Sequence, residues 1–234
     1  MWWICLIFMV LAGLLLPYYL KEKIKSYSVK SVLIKTAISI LFVAVAIYSA
    51  YVSKGHKLSP FVIIGLLFGL TGDIWLDLKY VYPKDDKIYS YAGFIVFGIG
   101  HVLFITGLYL EFFNKANVLY IIIPLILAGF CGVLTQILAK PLKLNYGDMK
   151  WIVFIYSLTL FSLPLCSGSL LLLHGFNNTT LTLIFAGGLL FAISDLVLSG
   201  TYFGKGHETP LDFICNYLTY YPAQFLIAFS IFFL

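Results

Sequence analysis

The sequence predicts an all-α, polytopic membrane protein: eight transmembrane helices in one bundle, a single domain over 1–234, with both termini extracytoplasmic. Three observations predict it. Of 234 residues, 62% are hydrophobic and 11% charged, and the mean hydropathy is +1.00, far outside the range of a soluble domain of this size. The apolar runs are roughly 20 residues long, which suits helices crossing about 30 Å of hydrocarbon and not the alternating ten-residue strands of a barrel. All fifteen basic residues are lysines, and they are unevenly divided between alternate loops. Lys21, Lys23, Lys25, Lys30, Lys35, Lys79, Lys84, Lys87, Lys140, Lys143, Lys150 and Lys205 gather on one side, against Lys54, Lys57 and Lys115 on the other. The richer side is expected in the cytoplasm. The net charge of +5 then reflects topology and contact with anionic headgroups; no basic domain points to nucleic acid. The lysine-only set suggests a bacterial cytoplasmic membrane.

The expected helices are 2–20, 31–52, 59–80, 89–112, 118–138, 150–174, 179–203 and 211–233. The first lacks a basic start and a small-residue cleavage pattern, and its lysines follow the apolar run, so it reads as a span and not a secretion signal. The second is an uninterrupted apolar run. Pro60 opens the third, where a missing N–H costs nothing, and Gly65, Gly69 and Gly72 are spaced for close packing. Gly98 and Gly100 lie on the fourth. Pro124 and Pro164 should kink the fifth and sixth. Gly187 and Gly188 lie on the seventh, so helices three, four and seven are expected to approach closely. Cys5, Cys131, Cys166 and Cys215 fall singly in different helices and read as packing residues, not a disulfide framework.

The stretch GLTGDIWLDLKY, Gly69 to Tyr80, sets two carboxylates four residues apart inside an apolar run. An ionised aspartate in hydrocarbon costs at least ~2.5 kcal/mol, so a chain that keeps one there usually uses it. Seven other acidic residues sit in loops or at helix ends: Glu22, Asp85, Asp86, Glu111, Asp148, Glu208 and Asp212. Asp77 is intermediate, within a turn of Lys79, and reads equally as a structural partner of Lys79 or a headgroup ammonium or as a residue of the chemistry, where it is placed among the substrate contacts. Asp73 and Asp195 remain as a deep pair. GLTGDIWL (69 to 76) and FAISDLVL (191 to 198) align on them as a weak internal repeat, and both aspartates lie about 10–12 Å from the lysine-rich face at 1.5 Å per residue. With no arginine, and no lysine expected at that depth, neither has an evident counter-ion.

His101 lies on the face of Phe94, Gly98, Ile105 and Leu108, slightly deeper. His56, His174 and His207 are dispersed in loops, without HxxxH or HExxH spacing, so no metal or other cofactor is expected. Asp73, His101 and Asp195 together form the one combination that could hold a divalent ion. Ser194, Ser199, Asn216, Tyr217, Tyr220 and Gln224, with Thr71, are the inward polar groups placed to touch a substrate. No GxSxG, P-loop or dinucleotide glycine pattern occurs. Asn177 and Asn178 carry glycosylation sequons on the outer side.

The runs LLFGLTGDIWLDL (66 to 78), YAGFIVFGIGHVLFITGLY (91 to 109) and AGGLLFAISDLVLSGTYF (186 to 203) resemble, in order, the YhhN-type lysoplasmalogenase family. The resemblance implies an integral membrane hydrolase that cleaves the vinyl-ether bond of a lysoplasmalogen to a fatty aldehyde and glycerophosphoethanolamine or glycerophosphocholine. It implies Asp73 and Asp195 as the carboxylates of the chemistry, with His101 and Asp77 as further candidates. The lysophospholipid substrate and surrounding membrane lipids are the expected partners. The residues suit that reaction. Vinyl-ether hydrolysis needs a carboxylic acid to protonate the β-carbon and a carboxylate to steady the resulting cation and activate water, and two aspartates in a shielded cavity supply both. His101 would orient one carboxyl group or the water. The same pair would also suit a small proton-coupled transporter, or a lipid-binding protein without catalysis.

Overall fold

The computed structural model describes residues 1–113, 117–204 and 209–234. Lys115, Lys205, His207 and Glu208, which entered the sequence reading, lie outside them. Eight α-helices and no strand occur among the described residues: α1 Trp3–Lys25, α2 Val29–Ser53, α3 Leu58–Val81, α4 Asp86–Phe112, α5 Leu119–Ala139, α6 Lys150–His174, α7 Thr179–Phe203 and α8 Pro210–Ser230. Their ends agree with expectation to within three residues except at α1, which continues past residue 20 to Lys25. The extra turn carries Lys23 inward, where it is 3% exposed, while Lys21, Ile24 and Lys25 stay exposed. The chain then extends at Ser26, and Ser28 opens α2 by a reciprocal capping box with Ser31, which satisfies backbone donors left free at a helix start. Asn178 caps α7 by accepting from the Leu181 N–H at 3.0 Å. At α8, Thr209 and Asp212 form a second capping box ahead of Pro210.

Seven helices, α1 to α7 with their short 3-10 extensions, are long and apolar enough to cross a membrane. Large apolar side chains such as Leu14, Leu33, Ile126 and Trp151 stand on the outer surface, as lipid contact requires. The molecule is an integral, multi-pass membrane protein. The eighth helix is less apolar because Asn216, Tyr217, Thr219, Tyr220, Tyr221, Gln224 and Ser230 fall within its 21 residues, 11 of which are buried. All of these polar groups except Thr219 are buried against protein.

The helix neighbours close a ring: α2 packs on α3, α3 on α4, α4 on α6, α6 on α7, α7 on α8 and α8 back on α2. Helix α1 docks outside against α2 and α8, and α5 outside against α6. The apolar stretches of these two are only 17% buried, against 39–50% for the other five candidate spans, which confirms their peripheral place. The tightest seam is α3 on α4. A Cβ at Gly100 would stand 2.9 Å from the Gly65 carbonyl oxygen, so only glycines let these backbones meet. The expectation that α7 shares this seam is corrected. Its glycines serve other neighbours: a Cβ at Gly187 would meet Ile227 and the Ala223 carbonyl of α8, and one at Gly188 would meet Pro164 of α6.

Candidate active site

Asp73 from α3 and Asp195 from α7 line one small chamber, together with Lys35, Phe94, Phe97, Tyr156, Ser194, Tyr202, Asn216, Tyr217 and Tyr220. The ring topology explains the meeting: residues 122 apart in sequence come from helices that face a common interior. The free space is about 20 Å³, enough for a water molecule with polar partners.

Asp73 is 2% exposed and held on three sides. Lys35 Nζ lies 3.1 Å from its Oδ1, and Oδ2 accepts from the Ser39 hydroxyl at 2.6 Å and the Tyr220 hydroxyl at 2.8 Å. Gln224 Nε2 donates to the Tyr220 hydroxyl at 2.9 Å. The expected absence of a counter-ion is thereby corrected: a lysine on α2 faces the aspartate on α3. Lys35 sits six residues into α2, and its long stem carries the ammonium inward from there.

Asp77 is also corrected. Its partner is not Lys79 but Lys23 of α1, at 2.5 Å, with Lys35 at 3.3 Å. The Tyr19 hydroxyl donates to its other oxygen at 2.8 Å, and Lys23 Nζ donates to the Tyr217 hydroxyl at 2.9 Å. Two lysines and two aspartates thus form a charge-balanced row running from α1 through α2 to α3. Each ion has a partner of opposite sign, the condition under which burial is tolerated. Lys79 instead lies over the Tyr202 ring.

Asp195 differs in kind. It is half-buried and receives a short hydrogen bond from the Tyr156 hydroxyl of α6; among the described residues no lysine forms an ion pair with it. Its neighbour Ser194 is tied to α8, where Asn216 Nδ2 donates to the Ser194 carbonyl and hydroxyl oxygens, both at 2.9 Å. These bonds fix the rotation of α7 so that Asp195 faces inward. Asp195, Tyr156, Phe94, Leu198 and Tyr202 also belong to the wall of a second cavity, of about 360 Å³. Its remaining lining, from α5, α6, α7 and the 140–149 connection, is mostly apolar: Leu138, Leu142, Leu144, Val153, Leu160 and Phe161 among others. Ser199 lies on this cavity and not on the chamber of the two aspartates.

His101 is 1% exposed, and its Nδ1 lies 2.8 Å from the Phe97 carbonyl. Since a carbonyl only accepts, Nδ1 carries the proton. The imidazole packs edge-on against Phe191, at 4.7 Å between centroids, and Tyr156, at 6.1 Å; it hydrogen-bonds neither aspartate, and its Nε2 has no partner. It therefore stands behind the phenol that holds Asp195. Among the described residues no three His, Cys, Asp or Glu side chains converge as a metal-ligand set.

The sequence pattern of the YhhN family matches residues 30–231, nearly the whole chain. The chain belongs to the YhhN family. No curated protein and no solved structure matches it. The YhhN match begins before α2 ends its first turn, so it contains Lys35, Asp73, Asp77, Tyr156 and Asp195 but leaves out α1. Lys23 and Tyr19, on α1, are contributed from outside the matched region.

Tyr19, Lys23, Lys35, Ser39 and Tyr156 are the site residues that sequence reasoning missed. A signal existed for two of them. Lys35 and Ser39 are four apart on α2, as Asp73 and Asp77 are on α3, so each pair shares one helix face. Neighbouring helices then mate the two faces. Tyr156 and Tyr19 carried no comparable signal, being two tyrosines among 17.

Proposed function

We propose that this YhhN protein is a membrane-embedded lysoplasmalogenase, hydrolysing the vinyl ether of a lysoplasmalogen to a fatty aldehyde and glycerophosphoethanolamine or glycerophosphocholine. The observation that carries the proposal is the pairing of compartments. Two aspartates with different electrostatic surroundings share a water-sized chamber, and one of them also borders an apolar cavity within the usual size range for a small-molecule site.

In this reading the alkenyl chain lies in the apolar cavity, with its first two carbons at Asp195. Asp195, which has a phenol beside it and no lysine paired to it, is the carboxylic acid. Asp73, paired with Lys35, is the carboxylate, and Lys35 is a positioning residue that keeps it so. Asp195 gives its proton to the β-carbon, the double-bond electrons form the new C–H bond, and positive charge is shared by the α-carbon and the ether oxygen. The Asp73 carboxylate steadies that charge and takes a proton from the chamber water as it adds to the α-carbon. In the collapse the hemiacetal hydroxyl gives its proton to Asp195 as the aldehyde carbonyl forms, and Asp73 gives the proton it took from water to the departing glycerol oxygen, so both carboxyl groups return to their starting states. Tyr156 holds one carboxyl oxygen of Asp195 and leaves the other to deliver the proton. We also assign the lysine-rich end, where α1 meets α2, to the cytoplasm.

The test is incubation of purified protein in detergent with a lysoplasmalogen and its ester analogue, with aldehyde measured directly. Aldehyde from the first, and no cleavage of the second, is the expected result. A proton-coupled carrier is the second reading, favoured by the buried lysine–aspartate row. It needs two compartments to work, so absence of aldehyde in detergent together with proton-linked flux in vesicles would replace the hydrolase.

A further inference from the structure

Tyr202 stands where the compartments meet and lines both of them. Its ring already holds a cation: Lys79 Nζ, from the last turn of α3, lies 3.3 Å above the ring centroid. The Tyr80 ring also faces this ammonium, at 5.1 Å to its centroid, while Phe94 and Phe203 pack against the Tyr202 ring with centroids at 6.4 and 6.3 Å. An ammonium on one ring face with a second ring beside it is an arrangement that recognises alkylammonium ligands. With the alkenyl chain placed as above, neither compartment is left for a phospholipid headgroup. The chamber has room for water alone, at about 20 Å³, and the larger cavity is walled mostly by aliphatic and aromatic side chains. A headgroup joined to an ether bond at Asp195 is therefore left with the ground beside Tyr202, toward the end of α3.

We propose that Lys79 and Tyr202 form a subsite for a zwitterionic headgroup. Lys79 takes the phosphate, and in moving to it vacates the Tyr202 face, which takes the ethanolamine or choline ammonium. The resting occupant of the ring has the same charge as the ammonium that replaces it, so a zwitterionic headgroup leaves the ring face with a cation. This rests on the lysolipid reading above.

The test measures binding, so that it stands apart from turnover. Saturated 1-alkyl lysolipids, which lack the reactive double bond, are titrated into the full-length protein in detergent with either a phosphocholine or a bare phosphate headgroup. Wild type is expected to prefer phosphocholine by about 5- to 10-fold, the scale of a largely desolvated cation–ring contact. Tyr202→Phe keeps the ring and the preference, while Tyr202→Leu brings the ratio near one. Lys79→Gln weakens both lipids by a similar factor and leaves the ratio intact. No preference in wild type, or a preference that survives Tyr202→Leu, overturns the ring assignment. Unchanged binding of both lipids in Lys79→Gln overturns the phosphate assignment. If Tyr202→Leu does not fold, the wild-type ratio and Lys79→Gln still decide. Selective binding without aldehyde release from the alkenyl lipid would sink the hydrolase while leaving this subsite in place.

Discussion

At the scale of residues, the two aspartates are distinguished by what stands next to them. Asp73 has an ammonium at 3.1 Å, whereas Asp195 has a tyrosine hydroxyl. Replacing either by asparagine preserves shape and much of the hydrogen bonding but removes the acid or base, so Asp73→Asn and Asp195→Asn are each expected to insert, fold and lose at least about 100-fold in turnover. Full activity in a well-folded variant would remove that residue from the chemistry. Lys23 and Asp77 serve the row in a different way. Lys23→Ala leaves a buried negative charge in excess and is expected to cost about 3–5 kcal/mol, read as a lower midpoint of thermal unfolding in detergent. The double substitution Lys23→Met with Asp77→Leu removes one charge of each sign and should regain most of that loss. If the double variant is no better than the single, the row is not stabilised by charge balance.

At the scale of elements, the eight helices were legible in the sequence because hydrocarbon thickness fixes their length and lysines punctuate them. The miss at α1 has a physical reason. Lys21, Lys23 and Lys25 look like the end of a span because charge ordinarily belongs in water, but Lys23 is neutralised by Asp77, a residue 54 positions away. Hydropathy counts a residue's cost alone and cannot see a partner on another helix. The same blindness hid Lys35. By contrast the convergence of Asp73 and Asp195 was legible, since equal depth followed from topology without knowledge of any contact. Glycine spacing gave the α3–α4 seam correctly but not the partners of α7, because a small residue announces closeness without naming the neighbour. Gly100→Val would drive a side chain into the Gly65 carbonyl and is expected to destabilise by at least about 1–3 kcal/mol. Gly129→Ala on α5, where nothing lies within 4 Å, is expected to be neutral or to stabilise by up to about 1 kcal/mol. Equal unfolding midpoints for the two variants would contradict the seam.

At the scale of the whole molecule, the six-helix ring encloses the lysine–aspartate row within a largely apolar core and leaves the apolar cavity between α5, α6 and α7 near the rim. If that cavity receives the alkenyl chain, filling it should discriminate by chain length. Thr135→Trp projects a large ring into the cavity from α5 and is expected to cut kcat/KM by about tenfold or more for long-chain substrates, with short-chain analogues affected by no more than about threefold. Equal losses for both lengths would place the chain elsewhere. The weakly apolar α8 has a consequence for biogenesis. Tyr217 on this helix touches Lys23 and Tyr19 on the first, and Tyr220 touches Asp73. Until the ribosome has delivered α8, the acids and lysines between α1 and α3 lack their tyrosine cover, and α8 itself is poorly suited to enter lipid unaided. The first seven helices must therefore wait for a latecomer, which ties closure of the charged interior to the arrival of α8.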